Sequence, residues 1–245
     1  MLFPIGDDNR ERTITPYVNY LLILANIIVF VFLQDFGNNV RFTYKYATVP
    51  EEIITGKDIV TSDQSFQDPA SGEVYTIPGL GVTPISVYLT LLTSIFMHGS
   101  IAHILGNMIF LWIFGDNIEN RTGHFRYLIF YLICGILASL AHVYATEVFN
   151  GNLLIPTIGA SGAISGVMGA YILLYPRKRV SVIFFYFITE MPAIAVIGIW
   201  FLFQLISGLG VLGSVAQGGG IAYGAHIGGF ISGIILIKFF DKIRN

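Results

Sequence analysis

Ser161, His226, and the trio His98, His103 and Asn107 are the polar residues of this 245-residue chain whose types and spacing could do chemistry. A serine hydroxyl becomes a nucleophile when a base takes its proton, and His226 is the candidate base. Ser161 stands in the run Gly159-Ala160-Ser161-Gly162, at the start of an apolar stretch with helical character. At a helix start, backbone N–H groups lack intrahelical partners and the dipole end is positive, which suits an oxyanion. His103 and Asn107 are four residues apart and share a helix face. His98, five before His103, is expected to point elsewhere. No Asp or Glu falls beside His226 to orient it, so a Ser–His dyad is expected rather than a triad.

Each of these residues also has a plainer reading. Gly159, Ser161, Gly162, Gly166 and Gly169 form a small-residue face of the kind that lets membrane helices approach closely. Gly220, Gly224 and Gly228 make a second such face beside His226, and Gly229 with Gly233 a third. His226 alone could be a buried histidine bonded to a carbonyl, and His103 with Asn107 could be polar glue between helices. Cation binding by His98, His103 and His226 competes as well, but a metal protease would carry His-Glu-x-x-His on a helix, and none is present. No metal is therefore expected. The single cysteine, Cys134, sits in an apolar run and reads as a small buried filler. Asp116, Glu119 and Arg121 read as a capped, salt-bridged loop, and His124 and His142 are given no role.

The elements that must position these groups are membrane spans. The chain is 54% hydrophobic and 11% charged, against roughly 25% charged for soluble domains. A bilayer core asks for about 20 mostly apolar residues per helix. Six runs qualify: 17–33, 101–114, 127–145, 161–175, 193–212 and 221–240. Val87–Met97 leads into the second, and Val180–Ile188 reads as an interfacial lead-in to the fifth. Six spans put Arg10, Arg12, Arg121, Arg126, Arg177, Lys178, Arg179, Lys238, Lys242 and Arg244 on one side, leaving Arg41, Lys45 and Lys57 in a long loop. The positive-inside rule makes that first side, with both termini, cytoplasmic. The polar N-terminus does not read as a signal peptide. The domain reading is a cytoplasmic segment 1–16, then a membrane domain 17–245 that contains an extracytoplasmic loop, 34–84. With this orientation three spans enter from outside and bring His98, His103 and Asn107, then Ser161, then His226 to a similar outer depth. A net charge of −2 gives no sign of a nucleic-acid partner.

At these residues the chain resembles the rhomboid proteases, in their compact six-span bacterial form. His98-Gly-Ser-Ile-Ala-His103-Ile-Leu-Gly-Asn107 looks like the family's second-helix motif, and Glu119-Asn120-Arg121-Thr122-Gly123 like its E-x-R-x-G turn. Gly159-Ala160-Ser161-Gly162 is similar to the G-x-S-G nucleophile motif, and Ala225-His226-Ile227-Gly228-Gly229 to A-H-x-x-G of the sixth helix. The resemblance implies an all-α membrane protein, a six-transmembrane-helix rhomboid-like bundle. It implies Ser161 as nucleophile and His226 as base, acting through an acyl-enzyme. The oxyanion would be held by the Ser161 N–H, His103 and Asn107. His98 would be structural or water-retaining, Glu119 and Arg121 would brace the cytoplasmic turn, and Gly229 would let the sixth helix close on the fourth. No cofactor is implied. The partners would be the lipid bilayer and transmembrane protein substrates, cut at a small side chain after entry beside a mobile fifth helix. A bacterial plasma membrane is the expected location, with the site toward its outer side. Two features depart from the family pattern. Ser165 stands where some members place a Tyr against the catalytic His, and the 34–84 loop lacks the Trp-Arg pair of some members. Other readings are a catalytically silent relative that binds membrane proteins, and a transporter.

Overall fold

A computed structural model describes residues 2–67, 72, 74–213 and 223–241 of the chain. In order they form strand β1 (Leu2–Asp7), helix α1 (Tyr17–Ile28) running on as a π-helical turn (Val29–Leu33), short helices α2 (Val40–Tyr46) and α3 (Pro50–Thr55), and the hairpin β2 (Gln64–Gln67) and β3 (Val74–Ile77). There follow α4 (Thr90–Thr93) between two 3₁₀ turns, α5 (Ile101–Thr122), α6 (His124–Val148), α7 (Ser161–Leu174), the hairpin β4 (Arg179–Phe184) and β5 (Phe187–Pro192), α8 (Ala193–Gly213) and α9 (Tyr223–Phe240). The architecture is thus mostly helical, as expected, but not all-α.

Among the described residues, α5, α6 and α9 are long and apolar enough to cross a membrane by length and composition. Tyr17–Leu33, Val87–Phe96, Ser161–Leu174 and Ala193–Gly208 are apolar but shorter. Many outward side chains are large and apolar, including Leu24, Trp112, Leu140, Phe203 and Phe239. Residues 221 and 222 of the expected last span, and Gly220 beside it, lie outside the described residues.

Small residues set the packing. α7 is the central helix, buried continuously from Gly162 to Tyr171. It lies against α6 and α9, and a Cβ built at Gly166 would meet Cys134 Cβ at 2.5 Å. Cβ atoms built at Gly229 and Gly233 would fall on the carbonyl oxygens of Gly162 and Gly166. Only glycine lets the α9 backbone rest on the α7 backbone at these two points.

The 180–188 segment does lead into the fifth apolar run, and it does so as a pair of strands. That segment lies in the β4–β5 hairpin, and β1 pairs antiparallel with β4, giving the order β1-β4-β5. Val180 and Val182 are buried and Ser181 between them faces outward, the alternation of a strand packed on one side. The third strand comes from the far end of the chain, so no local pattern announces it. Asp7 ties β1 to the bundle: its Oδ2 accepts hydrogen bonds from Asn117 Nδ2 at 2.8 Å and the Tyr171 hydroxyl at 2.5 Å.

Burial pushes the Asp7 carboxyl up from 3.8 to about 7, the Tyr171 hydrogen bond opposing, Asp116 adding and Lys178 opposing. The folded state therefore holds this proton more tightly than the unfolded chain. Stability from Asp7 is present at acid pH and is lost as pH rises from about 4 through 7. Asp7→Asn, whose amide oxygen still accepts from Tyr171, is expected to be more stable than the wild type at pH 8. The gap should close toward pH 5, read by thermal unfolding in detergent at both values.

Acidic and basic groups at this end join separate elements rather than capping a local loop. Glu119, fully buried, accepts from the backbone N–H groups of Val18 (2.9 Å) and Asn19 (2.7 Å) at the start of α1, which has no side-chain cap of its own, and it contacts His124 Nδ1. Arg121 forks onto Asp241 at 2.7 and 2.9 Å, after α9. Arg12 pairs with Asp116 at 2.8 Å. The described residues of the 34–84 segment are anchored to the bundle: Thr48 bridges Thr157, and Gln34 brackets the His98 backbone, accepting from its N–H at 2.8 Å and donating to its carbonyl at 3.0 Å.

Candidate active site

Ser161 is the first residue of α7, and the first bond from a preceding residue into the helix runs from Ile164 N–H to the Ala160 carbonyl. The Ser161 N–H thus has no partner in the helix's own ladder. The approach to it is shaped by Gly159, whose φ of +129° is a conformation L side chains rarely adopt and whose N–H donates to the Ser94 carbonyl at 2.9 Å. A Cβ built at Gly159 would lie 3.0 Å from Cε1 and Nε2 of His103 and 3.6 Å from Ser161 Oγ. The imidazole edge of His103 and the Ser161 hydroxyl therefore face one small volume, kept open by the missing side chain.

His226 comes from the first turn of α9. Its Nε2 lies 2.7 Å from Ser161 Oγ, and its Nδ1 lies 2.7 Å from Gln204 Oε1 on α8. Gly162 permits this approach, since a Cβ there would already touch Ala225 at 3.7 Å and crowd Ala138 Cβ at 2.6 Å. With Ser165 in place of an aromatic, other rings pack on His226. Trp200 on α8 lies 5.9 Å away, tilted 39°, and Tyr223 meets it edge-on at 6.5 Å. Ser165 donates to the Ser161 carbonyl at 2.6 Å, a bond within α7.

His98 does not point away. Residues 99 and 100 precede the helix, whose first turn is capped by Ser100 Oγ accepting from His103 N–H at 3.2 Å, so helical spacing does not apply across them. The fully buried His98 ring folds back to stand edge-on to His103 at 5.0 Å, and its Nε2 is 2.9 Å from Asn107 Nδ2. An amide has two N–H donors, so this bond leaves Asn107 a second one.

A cavity of about 20 Å³ opens behind Ser161, lined by Ser94, Ser139, Thr157, Ala163 and Ala225 among others. It has room for about one water or a small side chain. A larger cavity of about 400 Å³ lies at the opposite end of α7, lined by Arg121, Leu173, Ile237, Lys238 and Asp241, and holds none of the site residues. Among the described residues, no group of three or more His, Cys, Asp or Glu could hold a metal ion.

Sequence reasoning missed Gln204 and Trp200. An amide can orient an imidazole as a carboxylate does, and Gln204 is the amide that reaches His226. The available signal was a lone amide in the run 193–212, where Ser207 is the other polar residue, since a polar group in a span needs a reason.

The Rhomboid domain model matches residues 86–242, about two thirds of the chain and every candidate site residue. The chain belongs to the rhomboid family. This rhomboid is 26% identical over 154 residues to Rhomboid protein 1, mitochondrial, of Saccharomyces cerevisiae, covering 63% of this chain and 42% of that protein. It is 30% identical over 149 residues to Presenilin-associated rhomboid-like protein, mitochondrial, of Bos taurus, covering 61% and 37%. It is 42% identical over 90 residues to Rhomboid protease GluP of Bacillus subtilis, covering 36% and 16%. The alignments thus span less than half the length of each of these relatives. Family membership and the long apolar helices together mark this rhomboid as an integral membrane protein.

Proposed function

We propose that this rhomboid is an intramembrane serine endopeptidase that cleaves transmembrane proteins through an acyl-enzyme. The observation that carries the reading is the 2.7 Å contact between Ser161 Oγ and His226 Nε2 at the start of α7. Ser161 Oγ attacks the scissile carbonyl carbon while its proton passes to His226 Nε2. The carbonyl π electrons move onto oxygen, and the oxyanion is met by the Ser161 N–H and by donors from His103 and Asn107. Collapse breaks the C–N bond, and the imidazolium gives its proton to the leaving amine. Water then attacks the acyl-serine, with His226 again taking and returning a proton, and Ser161 is regenerated. No step calls for a cofactor. The small cavity behind Ser161 favours a small side chain at the cleaved position.

Six spans with both termini cytoplasmic, and the site toward the other side, complete the proposal. It is supported by long-range pairings at one end of the bundle. β1 on β4, Glu119 on the start of α1 and Arg121 on Asp241 draw together the segments assigned to the cytoplasmic side. Substrates enter beside α8, which packs on its neighbours less extensively than α7 and α9 pack on each other. The names of the relatives given above include mitochondrial proteins, so they carry no argument for the bacterial plasma membrane expected from the sequence.

The test uses the purified protein in liposomes with a single-span substrate, compared with Ser161→Ala by gel and mass spectrometry, and a fluorophosphonate probe. Cleavage and probe labelling mapped to Ser161, both lost in the variant, support the reading. A folded wild-type protein with neither would overturn it in favour of a silent relative that binds membrane proteins. Asn107→Ala is expected to lower kcat by roughly 10²- to 10³-fold, the scale of one oxyanion donor, without abolishing turnover. An unchanged kcat would remove Asn107 from that role.

A further inference from the structure

We infer that Gln204 is a positioning residue that sets the tautomer and orientation of His226, an inference that rests on the Ser161–His226 reading above. Gln204 lies midway along α8 and is buried, with 7% of its surface exposed, while its helix neighbours Leu202, Phe203 and Ile206 are exposed and apolar. A buried amide on such a helix is costly unless it is bonded. Its Oε1 is 2.7 Å from His226 Nδ1. Trp200, four residues earlier and so on the same helix face, lies 5.9 Å from the same ring. The i, i+4 pair packs obliquely on the imidazole ring and meets its remote nitrogen, leaving Nε2 toward Ser161.

The chemistry of the contact selects a tautomer. A neutral imidazole carries one N–H. A carbonyl oxygen only accepts, so opposite Gln204 Oε1 the hydrogen belongs on Nδ1. The lone pair then lies on Nε2, facing the Ser161 hydroxyl whose proton it must take. The other tautomer would set two lone pairs against each other across 2.7 Å. When Nε2 gains the proton, the Nδ1–H···O bond strengthens, but an amide brings no charge to balance the imidazolium. Gln204 therefore acts by orientation. Its loss should cost less than the roughly 10⁴-fold that follows when a catalytic histidine beside a buried carboxylate is left in the wrong tautomer.

The experiment compares wild type, Gln204→Met and Gln204→Glu in detergent. Methionine keeps the length and flexibility of the side chain and removes the acceptor; glutamate restores an acceptor. Nitrogen-15 spectra of histidine-labelled protein, with His226 assigned by its loss in His226→Ala, read the tautomer directly. The expected result is an Nδ1–H tautomer in the wild type and its loss in Gln204→Met. In that variant kcat should fall roughly 10- to 100-fold, the scale seen when a group that orients a metal-bound histidine is lost, with KM within about twofold. Gln204→Glu should recover most of the fall. An unchanged tautomer with wild-type kcat in Gln204→Met, or a rise in KM alone, would overturn the inference while leaving the protease reading intact. A tautomer set by Gln204 in a wild-type protein that neither cleaves nor labels at Ser161 would defeat the protease reading instead.

Discussion

Substituting His226 by alanine is expected to cut the rate of cleavage by on the order of 10⁴-fold or more while leaving the fold in place. Nε2 of His226 is the one basic atom in contact with Ser161 Oγ among the described hydrogen bonds, at 2.7 Å. Without it the hydroxyl proton has no acceptor during attack, and the leaving amine has no acid. The oxyanion donors remain, so a small residual rate above the uncatalysed one should persist. Groups that act as a unit are strongly non-additive. The double variant Ser161→Ala/His226→Ala should therefore be no slower than either single change. Single-turnover cleavage in liposomes with enzyme in excess separates this chemical step from binding. A His226→Ala protein that kept more than about a hundredth of the wild-type rate would assign the base to another residue.

The second large effect is steric. Gly229→Val would put a branched side chain where even a Cβ falls on the Gly162 carbonyl oxygen, and 3.2 Å from Ala138 Cβ. The obstacle is backbone, which cannot swing aside as a flexible side chain would, so α9 must move off α7. Overpacking of this kind costs about 1–3 kcal/mol and sometimes more. The change lies one turn from His226 and opposite the residue after Ser161, so it also opens the Ser–His contact. A displacement of about 1 Å at reacting groups can cost on the order of 10²-fold. Gly233→Val meets the Gly166 carbonyl one turn further along the same seam. It should lose comparable stability and less activity. Thermal unfolding and kcat measured on both variants separate the two effects, and equal losses of kcat would mean that the seam moves as a rigid whole.

The positions of the apolar helices and the candidate site residues were legible in the sequence, though α5 runs on to Thr122, past the expected limit of 114; in a chain so apolar, each polar group stands out. Tyr17–Leu33 and Ser161–Leu174 end where the apolar runs end, within a residue of the expected limits. Ser161 and His226 are polar residues in otherwise apolar runs, and they lie in contact. What stayed hidden depends on geometry that local spacing does not encode. The fold of His98 onto His103 needs the non-helical bend at Gly99 and Ser100. The partners of Glu119 and Arg121 come from α1 and from beyond α9, far along the chain. Gln204 carries no charge to mark it as a partner for His226, although an amide oxygen accepts from Nδ1 just as a carboxylate does.

The pairing of β1 with β4 also bears on biosynthesis. Leu2–Asp7 leaves the ribosome before α1, yet its partner Arg179–Phe184 follows only after α7. Contacts so distant in sequence form late, because the intervening chain must be ordered first. On the proposed six-span arrangement the strand must wait, with an unpaired edge, while α1, α5, α6 and α7 are laid down. It can then pair only if residues 7 and 179 have arrived on the same face of the membrane. An insertion error that left an odd number of crossings between them would leave the sheet open. The hairpin that leads directly into α8, with Ala193 N–H donating to the Lys178 carbonyl at 2.9 Å, would then lack its third strand. On that arrangement the three-stranded sheet can be completed only when residues 7 and 179 share a face, at the point in the chain just before α8.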